Sequence, residues 1–183
     1  MIRLFSAIEI PLDIRERLAG LSMPLPGARW IDAGDMHLTL RFFGDVDTQT
    51  ANEFAEELAR MRTPQFSLQL DGLGAFGGRE PRVIWAGVTP NDSLNTLQRA
   101  HERAACNAGL APEGRKFSPH VTLARLRHSK PQAVADFLSS RGTFLSAPFD
   151  VQSVALFSAR PGRGGGPYVV EETFPLAPTR RTP

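Results

Sequence analysis

Two stretches of this chain, "HLTL" from His37 and "HVTL" from His120, set a histidine and a threonine two residues apart inside apolar runs. Side chains in a strand alternate between faces, so His37 and Thr39 share one face and Leu38 and Leu40 the other. His120 and Thr122 stand likewise against Val121 and Leu123. One such histidine alone has an ordinary explanation, a buried imidazole hydrogen-bonded to a neighbour. Two copies at matching positions of a repeated fold differ, because a pseudo-twofold axis makes equivalent side chains face one another across a groove. Paired imidazoles that titrate near neutrality offer one neutral base and one protonated acid, which suits in-line displacement at phosphorus. One histidine takes a proton from an attacking water and the other gives one to the leaving oxygen, while the threonine hydroxyls donate to non-bridging phosphate oxygens.

The chain does repeat itself. Eighty-three positions separate His37 from His120, and the same number separates Phe66 of "FSLQLDGL" from Phe149 of "FDVQSVAL". "FSAIEIP", ending at Pro11, resembles "IWAGVTP", ending at Pro90, at a separation of 79, so about four residues were gained or lost before the second histidine. Each half reads as an extended run (Ile2 to Ile10, Val83 to Val88), an amphipathic helix (Leu12 to Leu21, Asp92 to Ala108), the histidine strand, a second helix (Thr50 to Met61, Pro131 to Ser140) and an alternating strand from Phe66 or Phe149. The run "PYVVEETFPL" from Pro167 is expected to close the second lobe, and "PRVIWAGV" to close the first by crossing over. The expectation is an α+β fold of duplicated β-α-β-α-β lobes, with antiparallel sheets around a central groove. Residues 1–183 then form a single bilobal domain with halves of roughly 1–80 and 81–178, and "TRRTP" is a frayed tail.

Composition narrows the class. At 183 residues, 42% hydrophobic and 22% charged, the chain fits a folded globular protein and neither a disordered nor a fibrous one. "MIRLFSAIEIP" is too short and too charged for a secretory or membrane-spanning segment, so the cytoplasm is expected. The lone Cys106 permits no intramolecular disulfide and is read as a packing residue of a helix. With four histidines, no HExxH and no cluster at ligand spacing, the site is predicted to use no metal and no other cofactor. "GLGAFGG" from Gly72 fits a dinucleotide fingerprint, but Pro81 and an extended run stand where a helix is required, so it reads as a turn between strands.

These residues resemble a known family, the 2H phosphoesterases, and within it the RNA 2′,3′-cyclic phosphodiesterases, also described as 2′-5′ RNA ligases. The resemblance covers nearly the whole chain and rests on "FSAIEIP", "RWIDAGDMHLTLRFFG", "KFSPHVTLARLR" and "VALFSARPGRGGGPYVV". It implies a bilobal fold, hydrolysis of a terminal 2′,3′-cyclic phosphate to a 2′-phosphate, and weak reversible 2′-5′ ligation. By position it makes His37 the proton donor, His120 the proton acceptor, and Thr39 and Thr122 the phosphate-binding hydroxyls. Arg125 matches an arginine that many relatives carry five positions after the second histidine. Strict alternation puts Arg125 on the wrong face, and only a bulge or strand end would let it reach the phosphate.

Other residues are ambiguous. Arg41 shares the face of His37 by alternation, although Ala124 stands at the matching place. Phe42, Phe117 and Trp30 could stack on a base, but core packing is the expectation for each. His101 and His128 have no twin in the other half and are expected at the surface, and Arg160 and Arg163 lie in a stretch that could cover RNA but is expected to be a long hairpin connection. The expected partners are RNA 3′ ends or cyclic-phosphate nucleotides, with no membrane, no obligatory protein partner and a monomeric state. Two rivals stay open: hydrolysis of small cyclic nucleotides or ADP-ribose cyclic phosphate, and a non-catalytic RNA-binding module.

Overall fold

The computed structural model describes residues 2–159 and 168–178, so Arg160, Arg163 and the last five residues lie outside the described residues. In chain order the elements are β1 (Ile2–Glu9), α1 (Leu12–Ala19), β2 (Ala28–Trp30), β3 (His37–Val46), α2 (Thr48–Arg60), β4 (Phe66–Leu68), β5 (Leu70–Phe76), β6 (Val83–Val88), α3 (Asp92–Asn107), β7 (His120–Leu126), α4 (Pro131–Arg141), β8 (Phe149–Val151), β9 (Ser153–Ala159) and β10 (Tyr168–Pro175). Local chemistry sets several helix starts. Asp47 accepts from the Thr50 N–H ahead of α2, Asn91 accepts from the Leu94 N–H ahead of α3, and Pro131 opens α4. Helix ends fall within about two residues of expectation. The short β2 and a 3₁₀ turn at Ala33–Asp35 add to the expected pattern.

The main sheet runs β10-β9-β1-β3-β7-β6-β5, with β2 added against β7. Strands from the two halves of the chain interleave. β6 pairs with β5 of the first half, as a crossover requires. The last strand, β10, pairs with β9 and through it extends the sheet of β1 and β3, not that of β7. The expected strands at Phe66 and Phe149 each break after three residues into a short piece and a long one. The short pieces β4 and β8 pair with each other, Phe66 against Val151 and Leu68 against Phe149. A shift of 83 residues maps that pairing onto itself, as a pseudo-twofold axis demands. The sheet registers also refine the first repeat: His37 faces Glu9 and His120 faces Gly87, which makes β1 and β6 equivalent at 78 positions, one less than the sequence match suggests.

The four helices supply the large core on one face of the sheet. Ile14, Leu18, Phe54, Leu58, Leu94, Leu97, Val134 and Phe137 pack there with Leu38, Leu40, Val121 and Leu123. Each such side chain contributes roughly 1.5–3 kcal/mol by burial. Among the described residues the opposite face carries only a small cluster of Phe5, Ala7, Ala155 and Phe157, with Tyr168 against it. Because the helical face bears nearly all of the apolar burial, the other face is free to carry polar groups.

His101, expected at the surface, is fully buried in this core, where its Nδ1 lies 2.8 Å from the Ser6 Oγ on β1. It falls on the inward stripe of α3 with Leu94, Leu97, Ala104 and Ala105. Cys106 is exposed on the same helix. The "GLGAFGG" segment forms the end of β5 and a turn at Gly77 and Gly78, with no helix after it.

Gly27 joins β2 to the end of β7. It has φ of +82°, its carbonyl accepts the Arg127 N–H at 2.8 Å, and a Cβ there would lie 2.1 Å from the Arg127 carbonyl oxygen. Gly27→Ala should therefore cost at least about 2 kcal/mol. Denaturant unfolding checks this as a lower midpoint at unchanged slope, and an unshifted midpoint would mean the ladder yields at that point.

Candidate active site

The histidine strands β3 and β7 meet in antiparallel pairing at one residue pair, Leu38 against Val121. These two residues are themselves equivalents in the repeat, so the pseudo-axis passes between them. Continuing the register by one step sets His37 across from Thr122 and Thr39 across from His120. Both histidines and both threonines then rise on the groove face, with the Cα atoms of the two histidines on one diagonal about 7–8 Å apart. Leu38 and Val121 are fully buried on the helical face.

Each imidazole is fixed in the same way. The Nδ1–H of His37 donates to the Asp35 carbonyl at 2.7 Å, and that of His120 donates to the Ser118 carbonyl at 2.7 Å. This orients both rings and commits Nδ1 of each to a carbonyl, so that Nε2 is the nitrogen outside that bond. The surroundings differ. His37 is stacked on Phe5 at 4.7 Å between centroids and met edge-on by Tyr168 at 5.0 Å, whereas His120 meets only the edge of Phe76 at 4.9 Å. Burial pushes His37 down to about 4, opposed by its bond to the Asp35 carbonyl and by the Asp35 carboxylate. His120 is also lowered by burial, with no carboxylate acting on it.

Arg125 stands on the groove face. A bulge in β7 sets Trp85 against Thr122 but Ile84 against Ala124, so Leu123 is the extra residue. Leu123 and Ala124 are consecutive buried residues, and Arg125 emerges on the side of His120 and Thr122. The equivalent bulge in β3 falls at Leu40, between the pairs Ala7 with Thr39 and Ser6 with Arg41. It reverses the expectation for Arg41, which turns into the helical layer, is 8% exposed, and is held by Glu102 at 2.7 Å and by the Ala111 carbonyl at 2.6 Å.

The same bulge brings Phe42, expected in the core, out to 46% exposure on the groove. It occupies the position equivalent to Arg125. Trp30 packs on Phe137 and donates to the Met23 carbonyl, as a core residue would. Phe117 is half-buried against the core at the rim of the groove.

Two clefts flank the axis. One, of about 280 Å³, is lined by His37, Thr39, Thr122, Arg125 and Phe42, together with Asp35 and Tyr168. The other, of about 410 Å³, contains His120, Thr39, Phe42, Phe76, Phe117 and Lys116. They meet at Thr39 and Phe42. The clefts are pseudo-symmetric mates, since Ala159 lines the first where Phe76 lines the second. Sequence reading missed Asp35 and Tyr168. Aligning the halves on their histidines would have shown Asp35 opposite Ser118, but nothing in the sequence marks Tyr168, which reaches His37 only through the β9–β10 pairing. Among the described residues no group of three His, Cys, Asp or Glu side chains could hold a metal ion.

The folded state favours neutral His37 and neutral His101, the latter lowered to about 3 by burial. Below pH 6.5 the unfolded chain takes up protons that the native chain refuses until about pH 4 and about pH 3. Stability is therefore complete above pH 6.5 and declines as pH falls through that window. Denaturation midpoints between pH 7.5 and 4.5 should show the decline, with a flatter dependence in His101→Phe; a midpoint independent of pH would contradict it.

Comparison with known proteins bears on this geometry. The family model of the 2′-5′ RNA ligase superfamily matches residues 11–163. The RNA 2′,3′-cyclic phosphodiesterase of Aeropyrum pernix is 34% identical over 146 residues, covering 78% of this chain and 81% of that protein. The RNA 2′,3′-cyclic phosphodiesterase of Escherichia coli is 34% identical over 127 residues, 67% of this chain and 71% of its own length. The crystal structure of E. coli LigT complexed with 3′-AMP superposes with a TM-score of 0.78 at 27% identity, covering 96% of this chain and 98% of that one. The chain belongs to the 2′-5′ RNA ligase superfamily of 2H phosphoesterases.

Proposed function

We propose that the protein is a cyclic phosphodiesterase that opens the 2′,3′-cyclic phosphate at the end of an RNA to a 2′-phosphate, without a metal or other cofactor. The observation that carries the reading is the pair of equivalent imidazoles on one face of the β3–β7 seam, each with Nδ1 committed to a carbonyl and Nε2 left for chemistry. The relatives' names support the substrate. Thr39, Thr122 and Arg125 hold the non-bridging oxygens, the guanidinium as a fork. Nε2 of His120 takes a proton from water as its oxygen attacks phosphorus. The P–O3′ bond breaks on the opposite side, and His37 gives its proton to O3′, leaving a 3′-hydroxyl and a 2′-phosphate. The division of roles follows the family resemblance; the Asp35 carboxylate, which Ser118 replaces beside His120, raises His37 only against a larger lowering by burial, so His37 becomes the acid once the bound phosphate adds its charge. The same forward step with a 5′-hydroxyl in place of water gives a 2′-5′ linkage and a 3′-hydroxyl, and its reversal restores the cyclic phosphate.

The reading takes the chain as a single bilobal domain, monomeric and cytoplasmic, with no obligatory protein partner. Among the described residues no helix is long and apolar enough to cross a membrane.

The test is a short RNA ending in 2′,3′-cyclic phosphate, incubated in EDTA with wild type, His37→Ala and His120→Ala, with the product identified by phosphorus NMR. Wild type should yield a 2′-phosphate and each variant should lose about 10²–10⁴ in rate. Equal turnover by all three proteins would remove the histidines from the mechanism. In the free enzyme the acid must be charged with its value near 4, and the base must be neutral with its value below 6.5. The pH profile of kcat/KM should therefore be a bell centred below pH 6.5. That of kcat should lie higher, because the bound phosphate raises His37. A flat profile from pH 4 to 8 would sink the acid and base assignment.

A further inference from the structure

Outside the histidine clefts, positive charge gathers at the far end of β6 and β7. A cleft of about 720 Å³ there is lined by Arg79, Arg82, Arg127 and Lys130 against the single carboxylate of Glu80. The whole chain has a formal charge of only +2. Four cations against one carboxylate exceed that, so the cleft is a local concentration of positive charge. Arg82 lies 3.6 Å from Glu80, and Arg79, Arg127 and Lys130 make no ion pair among the described residues.

The patch continues the phosphate site. Arg125 lines the cleft of His37, and Arg127, two residues on and just past the end of β7, lines the basic cleft. Arg29 on β2 stands directly across from Arg125, which sets a second guanidinium on this path. The backbone that carries the cations is pinned. The Arg127 N–H donates to the Gly27 carbonyl and the Ser129 hydroxyl to the Pro26 carbonyl, both at 2.8 Å. Between them His128 is held at φ of 55°, unfavourable for a residue with a side chain. A merely solvated charged face needs no such fixing.

We infer that this cleft is the track for the phosphodiester backbone of single-stranded RNA upstream of the cyclic end, which makes oligonucleotide termini better substrates than cyclic mononucleotides. The inference rests on the cyclic phosphodiesterase reading above. The phosphate at the axis is held by Arg125, the preceding phosphates run along β7 past Arg127, and Arg79, Arg82 and Lys130 neutralise them with release of counterions.

The experiment measures kcat/KM across KCl concentrations for a cyclic mononucleotide and for an eight-nucleotide single-stranded RNA with a 2′,3′-cyclic end. It compares wild type with an Arg79→Ala, Arg82→Ala, Lys130→Ala triple variant, whose substitutions are all at the surface. The triple variant should lose roughly tenfold on the octamer at low salt, and its salt slope should flatten by about 2, at about 0.7 for each phosphate no longer neutralised. Its mononucleotide kinetics should match wild type. Equal octamer kinetics in the two proteins, or equal loss on both substrates, would overturn the track while leaving the cyclic phosphodiesterase reading standing. Absence of wild-type turnover on either substrate would overturn both.

Discussion

The pairing of Leu38 with Val121 is the constraint on which the rest of the site depends. It is the point where β3 and β7 meet, and it lies on the pseudo-axis. An antiparallel pair between equivalent residues sets the residue before each opposite the residue after the other. Two copies of a histidine-x-threonine strand must then form a four-cornered site with like groups on each diagonal. Both residues of the pair point into the helical core, and the burial of Phe54, Phe137 and the leucines around them is what holds the strands in this register. A slip of one residue would put the histidines into the core and the aliphatic side chains into the groove, so the register is enforced by apolar burial on the face away from the chemistry.

The paired bulges are the second device. Each adds one residue to its strand just past the threonine and reverses the alternation beyond it. The residues just beyond the HxTx motif therefore present the face opposite to the one that simple counting assigns, until a second shift at Phe43 restores the count in β3. Arg125 and Phe42 come to the groove, while Arg41 and Ala124 leave it. Arg41 becomes a buried tie from β3 to Glu102 on α3 and to the segment ahead of His120. One half of the duplicated scaffold thus positions the loop that carries the other half's histidine.

Much of this was legible in the sequence, and for a definite reason. Repetition at 83 residues and hydrophobic periodicity identified the helices, the main strands and the histidine pair, because each depends on a pattern local to one segment. Sequence reading failed where two segments decide the outcome. Arg41 and Phe42 were misassigned because a bulge is a property of a strand pair. His101 is expected outside because it has no twin in the other half, whereas the inward stripe of α3 and a hydroxyl partner 95 residues away, Ser6, bury it. Tyr168 could not be found at all, since the exchange of β9 and β10 into the sheet of β1 brings it to His37. The expectation that the last strand closes the second lobe failed for the same reason.

A symmetric site would have a defect as a catalyst. With identical corners, a cyclic phosphate could lie in either of two orientations related by the axis, and either histidine could meet either ester oxygen. Productive in-line displacement needs one imidazole charged and the other neutral, at known ends of the phosphorus axis. The side chains that differ between the halves supply that polarity. Asp35 against Ser118 gives one imidazole a carboxylate, Arg125 against Phe42 puts the cation on one side of the axis and an aromatic surface on the other, and Ala159 against Phe76 puts an aromatic ring in the wall of one cleft and a methyl group in the other. The backbone keeps its twofold repeat, which sets the spacing of the paired histidines and threonines, while on the proposed function the three side-chain differences would set which way the substrate lies and hence which ester bond breaks.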